Sequence, residues 1–322
     1  MENSTINNQQ PLVSIIIPLY NSEKYIKETI NCLLNQTYNN IEIIVIDDFS
    51  TDDSFQLVST INSDKIILEK NKTKGACAAR NYGFELSQGD FIQYLDADDL
   101  ISSNKIEKQL KLLENNPKAI ASCGWCKFEN SIKGLNIKNQ SINQSYNTPY
   151  QWLLDAWTKN EMGLVSIWLT PREIINKVGK WNEELLINQD GEFFCRVILN
   201  SSCILYCKEA IAYYRINPKG ITQSIRTKEK VASQLCSYQL CEKHLTPYFN
   251  DINAKKAIGN LYLKFIYFHH GKYSEIVQQA WDAFEKLDIG KPWAIGGKTL
   301  RLLSSFFGFK AALQIKHIFK LS

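Results

Sequence analysis

Two aspartates spaced two residues apart are the side chains best suited to chemistry. Asp96 and Asp98 follow a short apolar run at 91–95 and precede a segment with helical periodicity. A hard cation such as Mg²⁺ or Mn²⁺ takes few protein carboxylates and completes its shell with water and substrate phosphates. An Asp-x-Asp pair at the end of a strand can therefore hold a divalent metal against a diphosphate. The alternative is a solvated turn in which an aspartate caps the next helix.

A second acidic pair, Asp47-Asp48, ends another apolar run at 41–46. A carboxylate in that place can accept a hydrogen bond from a nucleobase N–H. The alternative is an acidic helix N-terminus, with Ser50 or Thr51 as its cap. The two interpretations are compatible, because different residues of the segment would serve them.

The elements that position these acids alternate between strands and helices. Continuous apolar runs, typical of strands buried on both faces, are separated by segments with helical periodicity. This order predicts an α/β fold with a mainly parallel central sheet and helices on both faces. In such sheets ligands bind beyond the carboxyl ends of the strands, which is where both acidic pairs lie. The predicted strands are 12–17, 41–46, 65–68 and 91–95, and the predicted helices are 22–34, 52–61, 74–86 and 102–114.

The second half of the chain is less regular. We expect strands over 119–128, 163–170 and 203–214, and a polar loop over 129–148. A helix is expected to begin within 188–199, a segment that contains a further acid, Asp190. From about Lys228 onward the pattern is helical.

Together these segments resemble the inverting family-2 glycosyltransferases of the GT-A fold, in particular the nonprocessive enzymes of bacterial polysaccharide and lipopolysaccharide synthesis. The resemblance covers roughly residues 12–217 and implies a Rossmann-like GT-A domain at 12–225. A polar tail at 1–11 would precede this domain, and a helical C-terminal region at 226–322 would follow it. The segments that carry the resemblance are VSIIIPLYN at 13–21, LLNQT at 33–37, IIVIDDFS at 43–50, GACAARN at 75–81, GDFIQYLDADD at 89–99 and QDGEFF at 189–194.

The resemblance implies a nucleotide pocket built by four residues. Pro18 and Tyr20 would line it, with Tyr20 packing on the base. Asp48 would accept from the uracil ring N–H, and Arg80 would lie near the base or the phosphates. The plainer alternatives are a strand end for Pro18, core packing for Tyr20 and a solvated helix position for Arg80.

The resemblance also implies the chemistry. Asp96 would contact the ribose, and Asp98 would hold Mn²⁺ or Mg²⁺ on the diphosphate of a nucleotide-sugar, expected to be a UDP-sugar. Asp190 would be the general base that takes the proton from an acceptor hydroxyl. Transfer would invert the anomeric centre, so that an α-linked donor gives a β-linked product on a glycan or lipid-linked acceptor, in cell-surface glycan biosynthesis.

Three positions depart from the family pattern. Gln189 stands where a second acid often precedes the base, and Asn217 where the family often has a histidine. Any metal or catalytic role of that histidine would be lost, which leaves Asp98 as the main protein ligand. Thr227 ends a Q-x-x-R segment at 223–227 that has tryptophan in processive synthases, so processive synthesis is not expected.

The net charge of +4 is unevenly spread. Residues 289–322 contain six lysines and arginines and no acid, which leaves the remainder at about −2 and argues against a nucleic-acid partner. Apolar stripes at Leu300, Leu303 and Phe307, and at Ala312, Ile315 and Phe319, make this a basic amphipathic segment. It can bind an anionic membrane surface, or it can pack on its own domain. Without a signal peptide or an apolar run of membrane-spanning length, we expect a cytoplasmic protein, with peripheral contact at the inner face of the plasma membrane as an option.

Three other interpretations account for part of the sequence. A haloacid-dehalogenase-type phosphatase would use Asp96 as nucleophile, but it leaves the segments at 13–50 and 75–81 unexplained. A nucleotide-sugar pyrophosphorylase would need a glycine-rich loop after the first strand, and none is present. A non-catalytic nucleotide-sugar-binding module would retain Asp48 but would not need Asp98 and Asp190.

Overall fold

The computed structural model describes residues 10–217 and 227–319. The proposed domain boundary at 225/226, nearly all of the polar tail, and residues 223–226 of the Q-x-x-R segment lie outside these ranges. The described residues form two compact units. Within the described ranges, the first comprises residues 10–149, 163–183 and 200–217, and the second comprises residues 150–162, 184–199 and 227–319.

The first unit contains two sheets and most of the predicted α/β pattern. The strands are β1 (Val13–Leu19), β2 (Ile41–Asp47), β3 (Ile66–Lys70), β4 (Phe91–Tyr94), β5 (Leu100–Ile101), β6 (Ile120–Phe128), β7 (Thr170–Pro171) and β8 (Ile204–Arg215). The helices are α1 (Ile26–Leu34), α2 (Ser54–Ser59), α3 (Ala76–Leu86), α4 (Lys105–Leu113) and α6 (Arg172–Val178).

The larger sheet has the strand order β3-β2-β1-β4-β7, parallel except for β7 at its edge. Its central strands β1 and β2 are mostly apolar, and all of their residues except Pro18 and Glu42 are buried, which is why their sequences read as nearly continuous apolar runs. The mainly parallel sheet expected from the sequence is thus present, with the acidic pairs at strand ends.

Strand β1 runs through Pro18 to Leu19, two residues beyond the predicted end. Proline lacks the N–H that a ladder needs, so an interior position is unusual. Here the Leu95 N–H donates to Ile16 O, and pairing of β1 with β4 ends at Ile16. The backbone nitrogen of Pro18 is on the same side of the strand as that of Ile16, beyond the last residue of β1 that pairs with β4. No N–H is needed there, and β1 can continue its pairing with β2.

Helix α3 packs directly on the central strands. A Cβ added at Gly83 would come within 2.5 Å of Ile16 Cγ2 and 3.3 Å of Ile46 Cγ1. Only glycine lets the helix approach the sheet this closely. The same helix bears Arg80, one turn before Gly83.

The second sheet was not predicted from the sequence. It has the order β5-β8-β6, with β6 parallel and β5 antiparallel to β8. Helix α4 contributes a fully buried lysine, Lys105, whose ammonium donates to Gln93 Oε1 and, at 2.7 Å, to Gln109 Oε1. Burial lowers the pKa of Lys105 to about 8, because its environment offers neutral amides instead of a countercharge.

Two local predictions were wrong. Residues 163–170 form a short 3₁₀ helix, Val165–Ile167, followed by the two-residue strand β7, rather than one long strand. Helix α1 begins at Ile26 with Tyr25 at its N-cap, because Ser22 is engaged in a turn and its backbone N–H donates to the Ser54 hydroxyl oxygen.

The second unit is helical. It consists of α5 (Tyr150–Lys159), α7 (Gln189–Asn200), α8 (Lys228–Leu245), α9 (Ile252–His269), α10 (Ser274–Lys286), α11 (Lys298–Phe307) and α12 (Phe309–Phe319). Two of these helices begin with side-chain caps, Thr227 for α8 and Asp251 for α9. No helix in the described part of the chain combines the length and apolarity needed to cross a membrane.

The predicted amphipathic stripes on α11 and α12 are only partly buried. Leu300 and Ala312 are buried, together with Phe309 and Leu313, so both helices pack on the second unit. Phe307 and Phe319, which belong to the same predicted stripes, are exposed.

Candidate functional site

Six of the seven predicted site residues lie in the first unit, five of them at the carboxyl ends of strands and the sixth, Arg80, on α3. Pro18 is near the end of β1 and Tyr20 follows it, and Asp48 follows β2, with its N–H donating to Leu19 O at 2.7 Å. Asp96 and Asp98 follow β4, the other neighbour of β1. The sheet topology therefore gathers residues 18–20, 48 and 96–98 along one edge, as parallel strands require.

Asp48 is buried and fixed by the loop that follows β3. Its Oδ1 accepts hydrogen bonds from the Asn71 amide and the Gly75 N–H, both at 2.8 Å. Gly75 has a φ of 140°, which a side chain would disfavour. The other oxygen, Oδ2, has no hydrogen-bond partner among the described residues, so it can serve a ligand. The same loop brings the Lys74 ammonium to 5.6 Å from the ring of Tyr20, whose side chain is exposed.

Arg80 is not the solvated helix residue of the plainer interpretation. It is buried, and its guanidinium donates to Asp96 Oδ1 at 2.8 Å while stacking 4.6 Å from the ring of Trp181. Trp181 is held in turn by Asn81, which accepts from its N–H and donates to its carbonyl. Arg80 thus fixes the Asp96 side chain and offsets its charge.

The loop that contains Asp96 and Asp98, here called the D-x-D loop, has its backbone held by two residues that the sequence did not indicate. The Thr29 hydroxyl donates to the carbonyls of Ala97 (3.0 Å) and Asp99 (3.1 Å). The Arg215 guanidinium donates to the intervening carbonyl of Asp98 at 2.8 Å. Three successive carbonyls are therefore fixed, which sets the direction of the side chains between them.

Arg215 is itself enclosed. Its guanidinium also bonds the Glu129 carbonyl (3.2 Å) and Glu28 Oε2 (2.6 Å), and it lies between the rings of Tyr25 and Phe128. Its backbone N–H donates to Asp99 Oδ1 at 3.0 Å. No sequence signal marked Arg215 because most of these partners are backbone oxygens, which any residue supplies.

Asp98 is half-buried, and its Oδ2 accepts from the Asn217 amide at 3.0 Å. Burial raises the pKa of Asp98 above its usual value; the Asn217 hydrogen bond opposes this shift, and the charge of Asp96 adds to it. Full burial, together with the charges of Asp96 and Asp98, raises the pKa of Asp99 well above its usual value. Such a cluster of carboxylates is stabilised by a cation.

These residues fit a hard divalent cation that is shared with a substrate. Oxygen ligands are what Mg²⁺ and Mn²⁺ prefer, and Asp98 supplies them. No group of three or more His, Cys, Asp or Glu side chains within 10–217 and 227–319 is arranged to hold a metal on its own. A cation bound here would therefore need oxygens from substrate and water to complete its shell.

Asp190 belongs to the second unit, where it lies in the first turn of α7. The approach to this helix is fixed by α8: the Ser233 hydroxyl accepts from the Leu186 N–H at 2.7 Å, and the Ser237 hydroxyl accepts from the Asn188 amide at 2.9 Å. Asn188 has a φ of 58°, a left-handed conformation that asparagine tolerates. Asp190 is half-buried, and a carboxylate at a helix N-terminus is favoured by the helix dipole.

The sequence model of the family described as "Glycosyl transferase family 2" matches residues 14–179. An uncharacterized glycosyltransferase of Haemophilus influenzae is 34% identical over 218 residues, covering 66% of this chain and 83% of that protein. A shorter match, 44% identical over 104 residues, covers 32% of this chain and 41% of WfaP of Escherichia coli. WfaP is described as a UDP-Glc:alpha-D-GlcNAc-diphosphoundecaprenol beta-1,3-glucosyltransferase.

Solved structures confirm the predicted fold. Residues 1–349 of TarS from S. aureus, in complex with UDP-GlcNAc, align with a TM-score of 0.61 at 18% identity, covering 86% of this chain and 88% of that chain. The mannosyltransferase PcManGT from Pyrobaculum calidifontis, in complex with GDP-Man and Mn²⁺, aligns with a TM-score of 0.54 at 16% identity, covering 98% and 89%. These likenesses establish the GT-A type of α/β fold, and the phosphatase interpretation is not favoured. The chain belongs to glycosyl transferase family 2, and it is a glycosyltransferase.

Proposed function

We propose that this glycosyltransferase takes its sugar from a UDP-sugar and transfers it with inversion to an acceptor hydroxyl, in a reaction that depends on Mn²⁺ or Mg²⁺. The observation that carries the proposal is the gathering of Tyr20, Asp48, Asp96 and Asp98 at one sheet edge. A base-stacking ring, a buried hydrogen-bond acceptor and a carboxylate pair are what a pyrimidine nucleoside diphosphate requires.

The donor-binding roles follow from the contacts of each side chain. Asp48 is held rigidly through Oδ1, so that Oδ2 can accept from the uracil N–H. Pro18 and the exposed ring of Tyr20 provide a surface for the base. Arg80 holds Asp96 in place for a hydroxyl of the ribose. The UDP-GlcNAc bound in the TarS complex and the UDP-Glc in the name of WfaP support uridine over guanosine.

The metal, held through Asp98, would offset the charge that develops on the leaving diphosphate. The Mn²⁺ of PcManGT supports this assignment. The proton transfer is carried out by a protein side chain. Asp190 takes the proton of the acceptor hydroxyl as its oxygen forms the bond to the anomeric carbon, and the bond from that carbon to the diphosphate oxygen breaks. Attack opposite the leaving group produces inversion, as family-2 membership suggests.

For the acceptor we propose a lipid-linked glycan on the way to a cell-surface polymer, reached by a protein in peripheral contact with the membrane. The acceptor in the name of WfaP is a saccharide on diphosphoundecaprenol, and this supports the proposal. The basic composition of residues 289–322 suits such a surface.

Calorimetry of UDP binding tests the donor assignment. We expect binding that is strengthened at least about tenfold by Mn²⁺, equivalent to about 1.4 kcal/mol, and a loss of this enhancement in Asp98→Asn. Asp64→Asn is the matched control, since Asp64 is an exposed aspartate of the same unit. GDP should bind more weakly than UDP. Tighter binding of GDP would overturn the choice of uridine, and absence of binding by either nucleotide would overturn the donor site.

A further inference from the structure

The helices α11 and α12 expose large apolar side chains that the donor chemistry does not use. Leu302 is 62% exposed, Phe306 75% and Phe307 60%, and the end of α12 adds the exposed Ile318 and Phe319. Single exposed apolar residues are common on protein surfaces, but a concentration of this kind within eighteen residues marks an interaction site.

Helices α11 and α12 are packed against the rest of the second unit, although they expose these side chains. Leu300 of α11 and Phe309 and Leu313 of α12 are buried, and the ring of Phe309 lies 6.2 Å from that of Trp281. Leu302 and Phe306 are four residues apart and therefore lie on the same side of α11, away from the buried Leu300. One face of the helix is anchored, and another presents apolar groups outward.

Every charged side chain of α11 and α12 is positive. Lys298 and Arg301 are exposed on α11, and no acid occurs between residues 289 and 322. Lys310 and Lys316 extend the charge along α12, where their ammonium groups lie 5.3 Å from the Trp281 ring and 5.1 Å from the Tyr267 ring. A second copy of the chain would bring like charges together at this surface, whereas an anionic surface complements it.

A cavity of about 480 Å³ opens at the beginning of α11. Its wall includes two cationic side chains, Arg301 and Lys256, together with Trp293 and Gly296. Asn260, also in the wall, is engaged with the Trp157 carbonyl and the Trp293 indole N–H. The Arg301 Nε–H donates to the Gly296 carbonyl at 3.1 Å, which holds the guanidinium at the cavity wall. Phosphate groups of lipid headgroups match this lining in charge.

We propose that α11 and the end of α12 form a docking surface for an anionic phospholipid membrane. Leu302, Phe306 and Phe307 enter the boundary between headgroups and acyl chains, and Lys298 and Arg301 pair with headgroup phosphates. The inference deepens the membrane contact proposed above and rests on that function, since docking would keep the chain at the surface where a lipid-linked acceptor is found.

The test is co-sedimentation of the full chain with vesicles of phosphatidylcholine alone, or of phosphatidylcholine and phosphatidylglycerol in equal amounts. We expect binding to the anionic vesicles only. The double variant Leu302→Ser/Phe306→Ser should bind at least about tenfold more weakly, because two apolar side chains no longer leave water. Lys298→Ala and Arg301→Ala should each lower the affinity for anionic vesicles about fivefold.

Two variants with similar exposure provide the controls. Phe268→Ser removes an aromatic side chain that is 58% exposed on α9, and Lys243→Ala removes an exposed cation of α8. Both should bind anionic vesicles like the wild type. UDP calorimetry on every variant separates the two proposals, because the donor residues lie in the other unit and these substitutions should leave their UDP affinity unchanged.

Four results would overturn the docking surface. They are absence of vesicle binding by a chain that binds UDP, equal binding to neutral and anionic vesicles, controls as damaging as the α11 variants, or a dimer in sedimentation velocity that Leu302→Ser/Phe306→Ser dissociates without any change in vesicle binding. Vesicle binding without UDP binding would sustain the surface and overturn the donor assignment instead.

Discussion

Replacement of Arg215 by methionine should separate the support of the D-x-D loop from its chemistry. The guanidinium donates to two backbone carbonyls, those of Asp98 and Glu129, and its side chain is only 4% exposed. Hydrogen bonds from a charged donor contribute about 1.5–3 kcal/mol each, so the two carbonyl bonds contribute roughly 3 kcal/mol at the lower end. The Glu28 carboxylate is 53% exposed, and its ion pair adds less than about 1 kcal/mol.

We therefore expect Arg215→Met to lose about 3 kcal/mol in the free energy of unfolding, measured by urea denaturation with far-UV circular dichroism. Because the Asp98 carbonyl is released, the Mn²⁺-dependent part of UDP affinity should fall at least about tenfold. Arg215→Lys keeps the charge but not the planar fork of donors. Its free energy of unfolding and its UDP affinity should lie between those of the wild type and those of Arg215→Met.

Glu28→Gln is the matched control for Arg215→Met. It removes the charge of the exposed partner and leaves both carbonyl bonds, so it should cost less than about 1 kcal/mol and leave UDP affinity unchanged. The reasoning is refuted if the free energy of unfolding of Arg215→Met lies within about 1 kcal/mol of that of the wild type. A loss of stability with unchanged Mn²⁺-dependent UDP binding would show that Arg215 supports the fold alone.

Three further predictions concern other residues. Between pH 8 and 10.5 the unfolded chain binds more protons at Lys105 than the folded chain does. The free energy of unfolding of the wild type should therefore rise over this range by up to about 3 kcal/mol relative to that of Lys105→Met, which lacks the titrating amine. Equal pH slopes for the two proteins would contradict the lowered pKa of Lys105. Asp190→Asn should reduce the rate of UDP release during turnover by at least about 10²-fold and leave UDP affinity intact; a change confined to affinity would exclude a role as base. Gly83→Ala should destabilise the chain by about 1–3 kcal/mol in urea unfolding, because its Cβ would stand 2.5 Å from Ile16 Cγ2, whereas Gly134→Ala, with no atom nearby, should show only the smaller strain of its positive φ.

The sequence predicted the strands and acids of the donor edge because both signals are local. Apolar runs identify β1, β2 and β4, and the acids follow within four residues of a strand end. The parallel rule then places Asp48 and Asp96 at the same edge of the sheet, after the two strands that flank β1. No long-range information is needed for this part of the site.

What the sequence did not reveal depends on long-range partners. Arg80 was open to interpretation as a solvated residue because Trp181, on which it stacks, lies about a hundred residues away. The sheet β5-β8-β6 joins segments just as distant, and the short β5 has no periodicity to detect. On α11 the apolar pattern identified the buried Leu300 but not the exposed Leu302 and Phe306, since hydrophobicity alone does not say which apolar face meets the core.

The close contact at Gly83 links protein stability to the geometry of the proposed donor site. The spacing between α3 and β1 that lets Ile16 fill the core is also the spacing that delivers Arg80 to Asp96, one helical turn away. A larger side chain at position 83 would move the helix outward and carry the guanidinium with it. Changes in the packing of this layer should therefore also change the proposed nucleotide site, and directed evolution of donor preference should find its permissive substitutions elsewhere.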